Sequence, residues 1–150
     1  SPYTKTERGG FEKMTAKEYL RQAYRLNERI NSHIEELENL RDLSTRIQGV
    51  SYGEHIPSPN RPTDAPFTKV LFKIMDYQEK INHEIDTLVD LKAEMEDAIE
   101  KLFNVDERLL LRYRYLDNHS WEEIGVLLNA SVRTVHRIHS SALQNFSVPE

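Results

Sequence analysis

The chain has 150 residues and a net charge of −5, with 30% of its residues charged and no cysteine. This length suits one ordinary domain or two small helical ones, and the negative charge excludes a general polyanion binder, so binding of nucleic acid would need a local positive patch. The lack of cysteine excludes disulfides and Cys-ligated zinc and fits the cytoplasm, and no apolar run approaches the roughly 20 residues of a membrane span.

Residues 1–13 are polar and lack hydrophobic periodicity. We therefore predict that they are disordered, as an upstream leader or as residues left from expression, with Met14 as the native start. Thr15 and Glu18 then have the spacing of a capping box, which predicts the start of a helix. Apolar residues continue from there at spacings of three and four, so this long amphipathic helix is predicted to end near Gly49.

Residues 49–66 hold four of the six prolines and two glycines, which predicts a Pro-rich loop that connects two helices. A second periodic helix follows from about Phe67 to Phe103. Because the two helices have similar lengths and similar apolar stripes, they predict an antiparallel, coiled-coil-like hairpin over residues 14–103. Such a hairpin buries little on its own, so its outer side is predicted to pack against a second copy, the terminal domain or a partner protein. A homodimer is the preferred interpretation.

Residues 104–150 are predicted to form a separate three-helix module. Its first helix would run from about Asp106, which serves as the cap, to Leu116. Residues 117–119 break this helix before the next one begins. Trp121, the only tryptophan, lies where the second helix would close over the core, so it is assigned to packing rather than contact.

The stretch from 120 to 146 has the residue types of a helix-turn-helix at the required places. Ser120 and Glu123 form a second capping box, and Gly125 is small enough for a close helix crossing. Asn129 tolerates the left-handed conformation that ends a helix, and Ser131 can cap the next one. The predicted fold is therefore all-α, a long helical hairpin followed by a helix-turn-helix module.

The second helix of this pair would be the DNA-recognition helix. Val135, Ile138 and Leu143 turn inward, and the residues left on the outer, N-terminal face are the ones that meet base edges in a recognition helix. The predicted DNA-binding residues are Ser131, Val132, Arg133, Thr134, His136, Arg137 and Ser140.

Chemistry separates the roles of these residues. Arg133 and Arg137 are the first choices for guanine, because a planar bidentate donor matches the O6 and N7 acceptors. Ser131 and Thr134 are better suited to phosphate oxygens, which fix register without reading sequence. His136 can do either. The alternative is that all of these residues are solvated and that the C-terminal helices have only a structural role.

The other polar groups do not predict a metal-binding or catalytic site. His136 and His139 lie one turn apart but have no third ligand nearby in sequence, so no metal site is predicted. The arginines 108, 112 and 114 could face the DNA backbone or form ion pairs with Glu107 and Asp117. There is no phosphate loop, no dinucleotide turn and no nucleophile with a placed base, so neither an enzyme nor a cofactor is predicted.

Four short runs between residues 106 and 146 carry a family resemblance. The module resembles region 4 of sigma factors, which reads the −35 promoter element. The similar runs are Leu-Arg-Tyr at 111–113, Ser-Trp-Glu-Glu-Ile-Gly at 120–125, Asn-Ala-Ser-Val-Arg-Thr-Val at 129–135 and Ala-Leu at 142–143. The chain from Met14 onward also resembles, in length and helical character, the small phage-encoded late-transcription regulators of the ArpU and RinA kind.

The resemblance implies a transcriptional activator that binds double-stranded DNA near a phage promoter and cooperates with host RNA polymerase. It also implies a location in the cytoplasm of the bacterial host, at the nucleoid. The sequence departs from region 4 at Asn129, where glycine is usual, and in the few basic groups around Val132 and His136. Two alternatives stay open, a phage DNA-packaging recognition subunit that assembles into rings and an RNA polymerase-binding adaptor with little DNA contact.

Overall fold

The computed structural model describes residues 3–5, 11–51 and 64–150. Apart from one short strand pair these residues are all-α, and they form the predicted long hairpin and C-terminal helical module. Two compact units divide the chain, one made of Ser1–Leu26 with Leu88–Glu150 and the other of Asn27–Thr87. The elements are β1 (Tyr3–Lys5), β2 (Phe11–Lys13), α1 (Ala16–Ser51), α2 (Asp64–Glu100), α3 (Val105–Leu111), a π-helical turn (Arg112–Leu116), α4 (Trp121–Leu128) and α5 (Val132–Asn145).

The described residues of the N-terminal segment 1–13 form two short strands. β1 and β2 pair antiparallel, with Tyr3 opposite Lys13 and Lys5 opposite Phe11. The prediction that residues 1–13 are disordered is therefore wrong for these two strands. Strands of three residues are too short to show an alternating hydrophobic pattern, so the sequence gives little sign of them.

The capping box of α1 is confirmed. The Thr15 hydroxyl accepts a hydrogen bond from the Glu18 backbone N–H at 3.2 Å, and the Glu18 carboxylate accepts one from the Thr15 N–H at 3.0 Å. The helix ends at Ser51, two residues later than predicted, and α2 begins at Asp64, three residues earlier. The centre of the predicted Pro-rich loop, residues 52–63, lies outside the described residues.

Helices α1 and α2 are antiparallel. A residue further along α1 contacts a residue nearer the start of α2. In the first unit the Tyr19 hydroxyl donates to the Glu94 carboxylate at 2.9 Å. In the second unit His33 Nδ1 lies 2.6 Å from Glu84 Oε1. Among the described residues of the second unit, the buried apolar side chains are Ile30, Leu37, Leu40, Val70 and Ile81.

The first unit has a single hydrophobic core to which both ends of the chain contribute. Leu20 from α1 and Met95 from α2 are fully buried together with Leu110, Ile124 and Val135 from the last three helices. The start of α1 and the end of α2 therefore hold the helix-turn-helix helices in place. Core residues lie on both sides of the predicted boundary between residues 103 and 104, among them Leu102 and Leu110.

The third helix differs from its prediction in two details. Its cap is Asn104, whose side chain accepts from the Glu107 N–H at 3.1 Å, and not Asp106. The helix also does not run regularly to Leu116, because Arg112–Leu116 is a π-helical turn. The bond from the Asp117 N–H to the Arg112 carbonyl, at 3.1 Å, closes this wider turn.

Candidate nucleic-acid interface

The turn between α4 and α5 has the geometry that the sequence predicts. The Ser120 hydroxyl accepts from the Glu123 N–H at 3.2 Å, and the Glu123 carboxylate accepts from the Ser120 N–H at 3.0 Å. Asn129 ends α4 in the left-handed conformation, with φ 53° and ψ 49°. The Ser131 hydroxyl accepts from the Thr134 N–H at 3.2 Å and so caps α5. Each end of the turn is therefore fixed by its own hydrogen bonds.

Gly125 allows this turn to pass close to α4. A Cβ atom at this position would lie 2.9 Å from the carbonyl oxygen of Ala130 and 3.8 Å from Cγ2 of Val135. The first distance is too short for a real side chain, and the atom it meets belongs to the backbone. The predicted close approach at Gly125 is thus to the turn itself, with α5 just beyond.

The predicted contact residues lie on the outside of the module. Val135 and Ala142 are fully buried, which fixes the inward side of α5. Thr134 is half-buried, and its hydroxyl accepts a hydrogen bond from Ser131 Oγ at 3.0 Å. The exposed members of the predicted set are Ser131, Val132, Arg133, His136, Arg137 and Ser140.

His139 does not lie on the exposed face of α5. It is 8% exposed, and its Nε2 atom lies 2.7 Å from the Tyr115 hydroxyl. Burial lowers the pKa of His139 to about 4, and the nearby charges of Lys17, Arg114 and His136 act in the same direction. Burial also raises the pKa of Tyr115. At neutral pH the imidazole is therefore neutral and accepts the hydrogen bond from the hydroxyl.

Trp121 packs rather than lying free on the surface. Its ring centroid lies 4.7 Å from the ring centroids of both His136 and His139. The guanidinium carbon of Arg114 lies 4.2 Å from the indole centroid, and Arg114 also donates to the His119 carbonyl at 3.0 Å. The tryptophan thus joins α5 to the π-helical turn and holds His136 at the edge of the recognition face.

The other two arginines of this region have partners that the sequence did not indicate. Arg112 pairs with Glu96 of α2 at 2.6 Å, and Arg108 donates to the Leu102 carbonyl at 3.1 Å. Glu107 does not pair with these arginines. It is 6% exposed and accepts hydrogen bonds from the Ser141 hydroxyl at 2.7 Å and the Asn145 amide at 3.2 Å. These contacts join α3 to α5 across a sequence separation that no local pattern reveals.

Clefts border α5 on two of its sides. One, of about 460 Å³, includes Asp106, Glu107, Thr134 and Arg137 in its lining. The other, of about 580 Å³, we call the basic cleft. It is lined by Lys17, Arg21, Tyr24, Arg114, Tyr115, Asn118, Trp121, His136 and His139.

Lys17 and Arg21 of the basic cleft were not candidates from sequence. They precede α5 by more than a hundred residues and look like ordinary charges on the solvent side of a helix. Only the fold of the first unit brings them to α5. Within residues 3–5, 11–51 and 64–150, no group of His, Asp and Glu side chains could hold a metal ion. The same part of the chain has no helix long and apolar enough to cross a membrane.

This geometry defines the class of the module. Two helices with a capped, tight turn, supported by a third helix and exposing a polar face on the last one, form a helix-turn-helix. Residues 98–146 match the family model described as Sigma-70, region 4, which is a DNA-binding helix-turn-helix domain. The match confirms the predicted likeness to region 4 and covers about a third of the chain. No curated protein and no solved structure matches the chain.

Proposed function

We propose that this protein is a sequence-specific DNA-binding transcription regulator that reads double-stranded DNA with α5. The observation that carries this proposal is the exposed face of α5, fixed by a capped turn within residues that match Sigma-70, region 4. A helix held in this way can enter a major groove without reorganisation, which preserves the register of its side chains.

The side chains on this face divide between reading and positioning. Arg133 and Arg137 are exposed and belong to none of the ion pairs within the described residues, so they are available to guanine O6 and N7. Thr134 keeps its hydroxyl hydrogen for a phosphate oxygen, because its oxygen already accepts a bond from Ser131. His136, held against Trp121, lies at the edge of the groove.

The finer role that we propose is activation of phage late genes together with host RNA polymerase. Two arginines are a small electrostatic footprint, so dimerisation or polymerase contact would have to supply additional affinity. The second unit has exposed apolar side chains suited to protein contact, with Phe72 and Met75 each 61% exposed. We propose a homodimer through this hairpin, which mass measurement in solution would distinguish from the ring of a DNA-packaging subunit.

A mobility-shift assay at stated salt, with the DNA upstream of the protein's own gene, tests the function. We expect Arg133→Ala plus Arg137→Ala to weaken specific binding by roughly thirtyfold or more, because each bidentate guanine contact is worth about 1–3 kcal/mol. The matched control is Arg41→Ala plus Arg46→Ala, which removes the same charge from exposed positions of α1 in the second unit. If the recognition-helix variant binds as tightly as the parent, the site assignment is wrong.

A second candidate is an adaptor that docks on RNA polymerase and scarcely touches DNA. The observation in its favour is an apolar outer face on α4, where Val126 is 81% exposed and Leu127 is 50% exposed. Capture of polymerase that is lost in Val126→Asp but kept in Arg133→Ala, with no promoter-specific shift for the parent, would favour the adaptor.

A further inference from the structure

The recognition face of α5 has two unlike edges. Successive residues of an α-helix are rotated by about 100°, so Arg133 and Ser140 lie at the centre of the face, His136 on one side and Arg137 on the other. The Arg137 edge borders the cleft that contains Asp106 and Glu107. The His136 edge borders the basic cleft. Because the second cleft has no carboxylate in its lining, the two edges differ in charge.

The cations of the basic cleft come from two distant parts of the chain. Lys17 and Arg21 lie on successive turns of α1, and both are exposed. Arg114 comes from the π-helical turn. The ion pairs within the described residues join His33 to Glu84, Arg112 to Glu96 and His119 to Glu123, so none of them neutralises these three cations.

The three charges act on the same buried pair of side chains. The charges of Lys17 and Arg114 both help to lower the pKa of His139. The charges of Arg21 and Arg114 both act to lower the pKa of Tyr115, although burial of the hydroxyl outweighs them and raises it. Each of the three cations therefore acts on the pKa of at least one member of the buried Tyr115–His139 pair, which lines the cleft.

No carboxylate lines the basic cleft, so none lies directly against these three cations. Glu18 caps the first turn of α1 through the Thr15 N–H, and Glu123 caps α4 while it contacts His119. Glu122 is exposed in the first turn of α4. None of these carboxylates lines the basic cleft.

The chemistry of the cleft favours phosphate over a nucleobase. The indole ring of Trp121 is already in contact with Arg114, His136 and His139, which reduces the ring surface on which a base could stack. Arg114 is held in place by this ring and by its bond to the His119 carbonyl, and such a fixed guanidinium suits an oxyanion. What remains for a ligand is mainly a set of cation and N–H donors, together with the half-exposed ring of Tyr24.

We infer that Lys17, Arg21 and Arg114 bind backbone phosphates of the DNA strand that borders the major groove occupied by α5. The first two turns of α1, which lie outside the residues that match Sigma-70, region 4, are then part of the DNA interface. This inference rests on the proposed function. It identifies one source of the additional affinity for DNA that Arg133 and Arg137 alone would not supply. Contacts of this kind hold the protein on DNA without reading its sequence.

The test uses the full chain with Lys17→Gln plus Arg21→Gln, which removes two charges from exposed positions. Binding to the selected DNA and to an unrelated duplex is measured between 50 and 200 mM salt. We expect the slope of log affinity against log salt to fall by about 1.8, and affinity at 0.1 M salt to fall roughly ten- to sixtyfold, because each phosphate contact contributes about 0.9 to the slope. The ratio of specific to non-specific affinity should stay unchanged.

The matched control is Arg41→Gln plus Arg46→Gln on the same helix, and circular dichroism verifies that each variant keeps its helices. If the parent binds DNA but the Lys17 and Arg21 variant keeps the parental slope, the inference is wrong and the proposed function stands. If the parent shows no specific binding, the proposed function fails, and the inference fails with it. An equal loss of slope in both variants shows only the effect of net charge and also contradicts the inference.

A free phosphate compound is the other source of the same ligand chemistry. Trp121 lies in the cleft, so its fluorescence reports occupancy by either source. The inference predicts that duplex DNA changes this signal at micromolar concentrations or below, and that inorganic phosphate at millimolar concentrations leaves it unchanged. Saturable micromolar binding of inorganic phosphate that prevents DNA from changing the signal would assign the cleft to a small ligand instead.

Discussion

Acidification should destabilise the first unit through one buried histidine. His139 is neutral in the folded protein because burial lowers its pKa from an ordinary value of 6.5 to about 4. The unfolded chain takes up a proton as pH falls through 6.5, and the folded state does not until pH 4. The unfolded state therefore binds more protons between these values, so the free energy of unfolding falls as pH falls.

The size of this effect follows from the two pKa values. Linkage gives a loss of about 2 kcal/mol between pH 7 and pH 5 for a single group with these values. His139→Gln removes the titrating imidazole but keeps an acceptor for the Tyr115 hydroxyl. The variant should be less stable than the parent at pH 7 by about 1–3 kcal/mol, because its amide is less well matched to the buried site. Its stability should nevertheless change less with pH.

Urea denaturation at pH 7 and pH 5, followed by the fluorescence of the single tryptophan, measures this difference. Trp121 belongs to the first unit, so the signal reports the unfolding of that unit. We expect the loss of stability between the two pH values to be about 2 kcal/mol smaller in the variant than in the parent. An equal loss in both proteins would show that His139 is not the titrating group and would refute the reasoning.

Two substitutions in the helix-turn-helix turn test the geometry that presents α5. Gly125→Ala should lower the free energy of unfolding by about 1–2 kcal/mol, since the new methyl group would lie 2.9 Å from the backbone oxygen of Ala130 and the clash exceeds the gain in helix propensity. An unchanged or higher urea midpoint would contradict this. Asn129→Gly should keep stability or raise it slightly, whereas Asn129→Ala should cost about 1 kcal/mol, because φ is 53° there. Equal midpoints for these two variants would show that the left-handed conformation is not what limits this position.

The parts of the fold that the sequence predicted are those encoded by local chemistry. Both capping boxes, the left-handed Asn129 and the cap at Ser131 involve groups only three or four residues apart. Residue types and spacing are therefore enough to predict them. The apolar periodicity of the long helices is local in the same sense, and it predicted α1 and α2 to within a few residues.

What the sequence did not reveal depends on contacts between distant segments. His139 and Glu107 have polar side chains that tertiary packing buries with partners from other helices. Lys17 and Arg21 gain their place beside α5 only because the start of α1 packs into the core of the first unit. A charge on a helix looks the same in sequence whether it faces solvent or a ligand. The basic cleft could therefore not be predicted before the fold was known.

In the function that we propose, the exposed face of α5 reads duplex sequence. The most direct test of this claim is selection of bound duplexes from a random pool by the parent protein and by Arg133→Ala, at the same salt concentration. We predict that the parent enriches one short motif containing a guanine, and that the variant binds the same motif with relaxed preference at that guanine. Enrichment of no motif by the parent, or of the same motif with undiminished preference by the variant, would contradict the claim.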